Sequence, residues 1–155
     1  MEEERTCPRR KYPATGVLSV RNGPMIVFVT ICTNKRASWL ATRECHVALQ
    51  SAWQAADAWL VGRYVIMPDH IHLFAAPGAR DVEMERWVHY WKSLVTRALG
   101  EQAKGWQRRC WHHRLRRSES YEEKWAYVVD NPVRKGLVQR SEDWPFQGEL
   151  EILPW

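Results

Sequence analysis

The sequence feature that most constrains the fold is an apolar, β-branched run, Met25-Ile-Val-Phe-Val-Thr-Ile-Cys-Thr33. Apolar side chains occupy both odd and even positions, so both faces of a strand built from this run must be buried. The run therefore predicts an interior strand of a sheet. It is also far shorter than the roughly 20 apolar residues that cross a bilayer, so we expect no membrane-spanning segment.

Alternating helix and strand patterns follow this run. Apolar residues three and four positions apart indicate helices, and short apolar runs between turn residues indicate strands. The predicted elements are a helix over 44–60 closed by Gly62, strands over 63–68 and 70–77, a helix over 81–99 closed by Gly100, a basic strand over 106–115, and a helix over 120–131. This order predicts an α+β fold of ferredoxin-like type, an antiparallel sheet with helices packed on one face.

The length of 155 residues and the 45% hydrophobic content suit one globular domain spanning residues 1–155. Prolines and glycines break any period before residue 25, so residues 1–24 are interpreted as an irregular N-terminal lead-in. Residues 138–155 are interpreted as a C-terminal tail that packs back on the core. The first residues lack the basic-then-apolar layout of a secretion signal, which favours a cytoplasmic location.

The cysteines are far apart in the chain and form no C-x-x-C pair. Because no secretion signal accompanies them, we expect reduced thiols rather than disulfides. The four residues are Cys7, Cys32, Cys45 and Cys110.

Basic residues are concentrated in one segment. The chain carries 23 Lys and Arg against 18 Asp and Glu, a net charge of +5. The segment from Lys104 to Arg117 has no acidic residue and contains Trp106 and Trp111. Charge beside flat aromatic rings suits single-stranded nucleic acid, although a solvated basic edge strand would show the same pattern. The candidate nucleic-acid-binding residues are Lys104, Arg108, Arg109, Trp111, Arg114, Arg116 and Arg117, with Arg134 and Lys135 further along the chain.

Two histidines form the sharpest local motif, Pro68-Asp-His-Ile-His-Leu73. Successive side chains of a strand alternate, so His70 and His72 share one face. Two neutral imidazoles on one face can supply adjacent ligands to a metal and leave positions open for substrate. Two surface histidines on an edge strand remain the alternative interpretation.

The last predicted helix carries a candidate nucleophile. It opens with a capping box of Ser120 and Glu123. Tyr121 lies on its apolar stripe and is expected in the core, whereas Tyr127 lies about 120° away among polar residues. Because a phenol titrates near pH 10, it attacks poorly at neutral pH without a metal or base. Asn131, one turn later, offers an amide oxygen to the same place.

Three motifs together resemble a known family. The histidine motif, then Trp91-Lys-Ser-Leu94, then Tyr127-Val-Val-Asp-Asn-Pro-Val-Arg-Lys-Gly-Leu-Val138 are similar to those of the IS200-like single-tyrosine transposases of the HUH superfamily. Within it the resemblance is closest to the REP-associated tyrosine transposases. The similarity covers about residues 10–155.

The resemblance implies an enzyme that cleaves and rejoins single-stranded DNA through a 5′-phosphotyrosine, with a hairpin as the recognised shape. It implies Tyr127 as the nucleophile and Mg²⁺ or Mn²⁺ held by His70, His72 and Asn131. It also implies a nucleoid-associated, cytoplasmic protein that is a monomer or a homodimer. The ferredoxin-like fold of the family agrees with the element order predicted above.

Two other functions fit the same residues. A non-catalytic protein that binds hairpin DNA or RNA would use the same basic and aromatic surface. A metal-dependent hydrolase would add Glu83 or Asp69 to the histidine pair and use water as nucleophile, and it would form no covalent adduct with DNA.

Overall fold

The computed structural model describes residues 25–155, and the lead-in predicted over 1–24 lies outside the described residues. Five strands and four α-helices form in this part of the chain. In chain order they are β1 (Val27–Cys32), α1 (Arg43–Ala55), β2 (Trp59–Ile66), β3 (His70–Pro77), α2 (Met84–Leu99), β4 (Trp111–Arg114), α3 (Tyr121–Val129), α4 (Asn131–Arg134) and β5 (Gln147–Glu149). Short 3-10 helices cover Asn34–Arg36, Gly100–Gln102 and Ser141–Asp143.

The strands form one antiparallel sheet in the order β4-β1-β3-β2-β5. β1 is an interior strand, paired with β3 on one side and β4 on the other, which confirms the prediction from its apolar run. The α+β class is confirmed as well. The first four strands with α1 and α2 follow the ferredoxin-like element order.

Both faces of the sheet are covered, but by different elements. α1 and α2 pack on one face, where Ile31 and Leu73 join Trp53 and Trp91 in the larger hydrophobic cluster. α3 and the C-terminal tail pack on the opposite face, in a smaller cluster that includes Phe74. The prediction that helices pack on one face is therefore wrong for α3. The physical reason lies in the strands themselves, which are apolar on both sides and need two covering layers.

The first helix is shorter than predicted. It ends at Ala55, residues 56–58 form a turn, and Trp59 and Leu60, which the spacing predicts as helical, begin β2. Gly62 is needed in the strand rather than as a helix stop. A Cβ there would lie 2.7 Å from Leu153 and 2.8 Å from the Tyr121 hydroxyl, so the close packing of the tail and α3 on β2 requires glycine.

Two later boundaries also differ from the predictions. The basic strand is limited to β4, and Trp106 forms only an isolated bridge with Thr33. The last helix opens as predicted, with Ser120 Oγ accepting a hydrogen bond from Glu123 N at 3.2 Å, but it ends at Val129. Asn131 begins the separate turn α4, because Pro132 is tolerated in the first turn of a helix, where its missing N–H is not required.

The C-terminal tail adds a strand that the sequence did not predict. β5 pairs with β2, and Trp144 Nε1 donates to Ile66 O at 3.0 Å. Among the cysteines, Cys45 and Cys110 are free and buried. Cys32 forms a disulfide, so the expectation of reduced thiols is wrong for this residue, and Cys7 lies outside the described part. No helix within residues 25–155 is both long and apolar enough to cross a bilayer.

Candidate active site

The two histidines begin β3 and lie on the face opposite α1 and α2. Their ring centroids are 4.7 Å apart, with the rings nearly perpendicular. His70 is buried and His72 is partly buried. Strand alternation places Ile71 between them on the other face, inside the larger hydrophobic cluster. The structure thus brings the imidazoles together in the way the motif predicts.

Each imidazole has one nitrogen engaged by a neighbouring side chain. His70 Nδ1 lies 2.7 Å from Asp69 Oδ1, and His72 Nδ1 lies 2.9 Å from Thr30 Oγ1. Thr30 is the residue directly opposite His72 across the β1–β3 ladder. Histidines that hold metals commonly donate their other ring N–H to such a partner, which fixes the tautomer. In this tautomer the Nε2 lone pair of each ring is available for a metal.

Arg36 contacts Asp69, the hydrogen-bond partner of His70. Its Nε donates to Asp69 Oδ2 at 2.9 Å, and its Nη1 donates to Cys32 Sγ at 3.1 Å. Burial alone would raise the pKa of Asp69, but hydrogen bonds from His70 and Arg36 and the charge of Arg36 outweigh it and lower the pKa to about 2. Asp69 is therefore ionised at neutral pH. Sequence reasoning missed Arg36, which follows β1 and carries no motif signal.

His72 is held neutral. Burial, together with the neighbouring His70 and the positive charges of Arg134 and Arg36, lowers the pKa of His72 to about 3. A metal binds the neutral imidazole, so this residue needs no proton removed before it can act as a ligand.

The two tyrosines of α3 differ as the helical spacing predicts. Tyr121 is buried, and its hydroxyl accepts a hydrogen bond from Arg63 N at 3.2 Å. Tyr127 is 68% exposed. The Arg134 guanidinium lies 4.1 Å from the centre of the Tyr127 ring and donates through Nη1 to Tyr127 O at 2.7 Å. The charge of Arg134 also contributes to the low pKa of His72.

The other candidate metal ligands, Asn131, Asp69 and Glu83, differ in their position and in the partners that they already have. Asn131 is half-buried at the start of α4, after the break that separates it from the helix of Tyr127. Both carboxylate oxygens of Asp69 are engaged by His70 and Arg36, and Glu83 precedes α2, whose buried residues belong to the other face of the sheet. Across the described residues, no group of three His, Cys, Asp or Glu side chains is arranged to hold a metal. The hydrolase arrangement with Asp69 or Glu83 as third ligand therefore lacks structural support.

An aromatic strip leads from the histidines to the edge of the sheet. Phe28 stacks on His72 with centroids 5.3 Å apart, and its ring centre lies 5.7 Å from that of Trp111. Trp111 in turn stacks on His113 at 6.2 Å. Sequence reasoning identified Trp111 but missed Phe28 and His113. Their position on this face follows from the β1–β4 register, which a single sequence does not reveal.

The basic residues predicted to bind DNA surround the edge strand β4. Arg114 projects to the face opposite Trp111, because strand side chains alternate. All of them except the partly buried Trp111 are exposed. They are Lys104, Arg108, Arg109, Arg114, Arg116 and Arg117, together with Arg134 and Lys135 of the α4 region.

Comparison with known proteins identifies proteins similar to this chain. No family model matches the chain. The REP-associated tyrosine transposase of Escherichia coli strain K12 is 33% identical over 87 residues, which are 56% of this chain and 52% of that protein. A relative from Haemophilus influenzae is 31% identical over 107 residues, covering 57% of this chain and 61% of the relative.

A solved structure extends the likeness to the fold. It is a REP-associated tyrosine transposase bound to a REP hairpin, with a TM-score of 0.66 and 27% identity, and the match covers 92% of this chain and 82% of that one. The chain is similar to the REP-associated tyrosine transposases. The resemblance that the motifs indicate is thereby confirmed in sequence and in structure. The sequence match spans only about half to three fifths of these curated transposases.

Proposed function

We propose that this chain cleaves and rejoins single-stranded DNA next to a hairpin, through a covalent 5′-phosphotyrosine formed on Tyr127. The observation that carries the proposal is the pair of oriented imidazoles, His70 and His72, on the sheet face that α3 packs against, together with the exposed tyrosine of α3 whose ring is covered by Arg134.

The donor set fits a divalent metal such as Mn²⁺ or Mg²⁺. His70 and His72 would hold it through Nε2, and the amide oxygen of Asn131 is the third candidate ligand. Imidazole and amide oxygen leave coordination positions for phosphate oxygens and water. The bound metal would supply Lewis-acid polarisation of the scissile phosphate.

Tyr127 would then act by in-line attack. Its phenol oxygen forms a bond to phosphorus as the bond to the 3′-oxygen breaks, and the phenol proton is lost while the departing 3′-oxygen gains one. Arg134 would fix the ring through the stack and the hydrogen bond to the Tyr127 carbonyl. The phosphotyrosine conserves the energy of the broken linkage, so a 3′-hydroxyl can reverse the step and join new ends.

Two further surfaces support an unpaired DNA strand as the substrate. The strip of Phe28, Trp111 and His113 offers flat rings beside the histidines for exposed bases. The basic residues around β4, with Arg134 and Lys135, would neutralise phosphates, so binding should weaken steeply with salt. A relative bound to a REP hairpin supports the hairpin as the recognised shape.

The test is covalent capture of DNA. Protein, end-labelled single-stranded DNA with a hairpin, and Mn²⁺ are incubated and resolved on a denaturing gel. We expect a protein–DNA adduct with the wild type, none with Tyr127→Phe, and DNA binding by that variant within about 1 kcal/mol of wild type, because only the attacking oxygen is removed.

Tyr121→Phe is the matched control, since it removes the same atom from the same helix. It should retain the adduct. An adduct that survives in Tyr127→Phe and disappears in Tyr121→Phe would identify Tyr121 as the nucleophile. Tight hairpin binding with no adduct in the wild type would favour the non-catalytic binding protein.

A further inference from the structure

A second candidate binding site lies where α2 meets the loop that leads into β4. An open cleft of about 530 Å³ forms there, within the range of ligand-binding pockets. His89 and Arg97 line it from α2, and Trp106 and Arg108 line it from the loop. None of its described lining residues is acidic. The cleft is therefore basic, with an aromatic wall.

Lys92 forms the floor of this cleft. It is 6% exposed, and its Nζ donates to Gln107 O at 2.9 Å. Burial lowers its pKa, and the nearby Cys110 and Glu85 offset that effect only in part. An ammonium has three N–H donors, and a buried one gains most from an anionic acceptor. A phosphate in the cleft would supply that acceptor.

Trp106 is positioned as a rigid platform. Its ring lies at 73° and 89° to the rings of Trp39 and Trp91, with centroids 4.8 and 5.7 Å away. Its Nε1 donates to Thr96 Oγ1 at 3.1 Å, and Lys92 Nζ lies 5.9 Å from its ring centre. The ring is only partly buried and lines the cleft. A fixed, partly exposed indole beside cations has the composition of a nucleotide subsite, where the base stacks and the phosphate pairs with charge.

We propose that this cleft binds one nucleotide of the unpaired DNA strand, with its phosphate on Arg97, Arg108 and Lys92 and its base against Trp106. The identity of the polymer rests on the proposed function. The basic segment runs from the cleft to β4, whose other face carries Trp111 and the aromatic strip. A strand held in the cleft can thus pass over the sheet edge toward Tyr127, so the cleft would act on the DNA that flanks the hairpin.

The test compares two labelled DNAs, a hairpin with a single-stranded extension and the same hairpin without it. Fluorescence anisotropy is measured over a range of salt concentrations with proteins built on Tyr127→Phe, so that binding is read without cleavage. The double substitution Arg97→Gln and Arg108→Gln should weaken binding of the extended DNA by several-fold. The slope of the logarithm of the binding constant against the logarithm of the salt concentration should become shallower by about 0.7 for each phosphate that the variant no longer neutralises. Binding of the bare hairpin should not change. Lys92 is left intact because it also anchors the loop.

The matched control removes two other exposed arginines, Arg43 of α1 and Arg80 before α2, neither of which lines the cleft. Equal losses in the control, or an equal loss for both DNAs, would overturn the proposal. A second readout is photocrosslinking of a bromodeoxyuridine-substituted extension, which should label the peptide that contains Trp106. Because neither readout needs an adduct, a failed cleavage assay would contradict the proposed reaction and leave the cleft separately testable.

Discussion

The two faces of the sheet share the same strands but differ in what covers them. On the helix side, Ile31 and Leu73 are fully buried beneath α1 and α2. On the other side, α3 covers only part of the sheet, and the remainder carries partly exposed His72 and Phe28 beside Trp111. One face is fully covered and forms the larger hydrophobic core, and the other is divided between the smaller core under α3 and the candidate active site.

This difference separates stability from chemistry within a single strand. Consecutive residues of β3 alternate between the larger core and the candidate active site, so a one-residue step changes the environment completely. Substitutions at neighbouring positions of β3 should therefore give opposite results, a loss of activity on one face and a loss of stability on the other.

The largest effect is expected at His72. His72→Ala removes one of few metal ligands, so we expect cleavage to fall by more than about 100-fold with either Mn²⁺ or Mg²⁺. Thermal or urea unfolding should shift by only about 1 kcal/mol, because the residue is not part of the larger core. EDTA should abolish cleavage by the wild type. Undiminished activity in EDTA would rule out the metal.

Leu73→Ala is the matched control on the opposite face. It removes a fully buried side chain from the larger cluster and should cost about 2–5 kcal/mol of stability. While the variant stays folded, its cleavage rate should remain near that of the wild type. A variant that is stable yet inactive would show that the two faces are coupled.

An intermediate effect is expected at Asp69, the hydrogen-bond partner of His70. Asp69→Asn keeps an oxygen for His70 but removes the charge that pairs with Arg36, so His70 is held less firmly. We expect the Mn²⁺ concentration that gives half-maximal cleavage to rise by about 10–100-fold, with the rate at saturating Mn²⁺ less affected. Asp57→Asn, which also disrupts an aspartate–arginine pair, should change neither.

Much of the fold could be predicted because it depends on local periodicity. The run of β1 and the apolar spacing of α2 identify the interior strand and the second long helix directly. The end of α1 and the strand β5 could not be predicted, because they depend on contacts between distant segments. Gly62 is the clearest case, since glycine is required there by the close approach of Leu153 and Tyr121, which are distant in the sequence.

The site was predictable to the extent that it follows from alternation along one element. His70 and His72 share a face by strand geometry, and Tyr121 and Tyr127 diverge by helical geometry. Thr30 was not predictable, because strand register brings it to the histidines. The roles of Tyr127 as nucleophile, of the histidines as ligands and of the basic residues in binding DNA stay predictions.

The smallest effect is expected at Glu119, where α3 joins the open side of the sheet. Its carboxylate accepts a hydrogen bond from Arg116 N at 2.9 Å and lies 3.1 Å from both His113 Nε2 and Lys124 Nζ. The hydrogen bond from Arg116 N is the largest effect that lowers the pKa of Glu119, and His113 and Lys124 add to it. Together they lower the pKa from 4.5 to about 2. The ionised form is thus the one that the folded state favours.

Because the folded pKa lies below the unfolded value, the contribution of Glu119 is complete above pH 4.5 and is lost as the pH falls toward about 2. Glu119→Gln should cost about 1 kcal/mol near neutral pH, since solvent screens this partly exposed carboxylate. Urea unfolding of wild type and variant across this pH range should show the difference shrinking on acidification. The loss in Leu73→Ala, which removes only apolar contacts, should stay constant over the same range. A Glu119 difference that does not change with pH would mean that packing, rather than this charge, holds α3 against the open face.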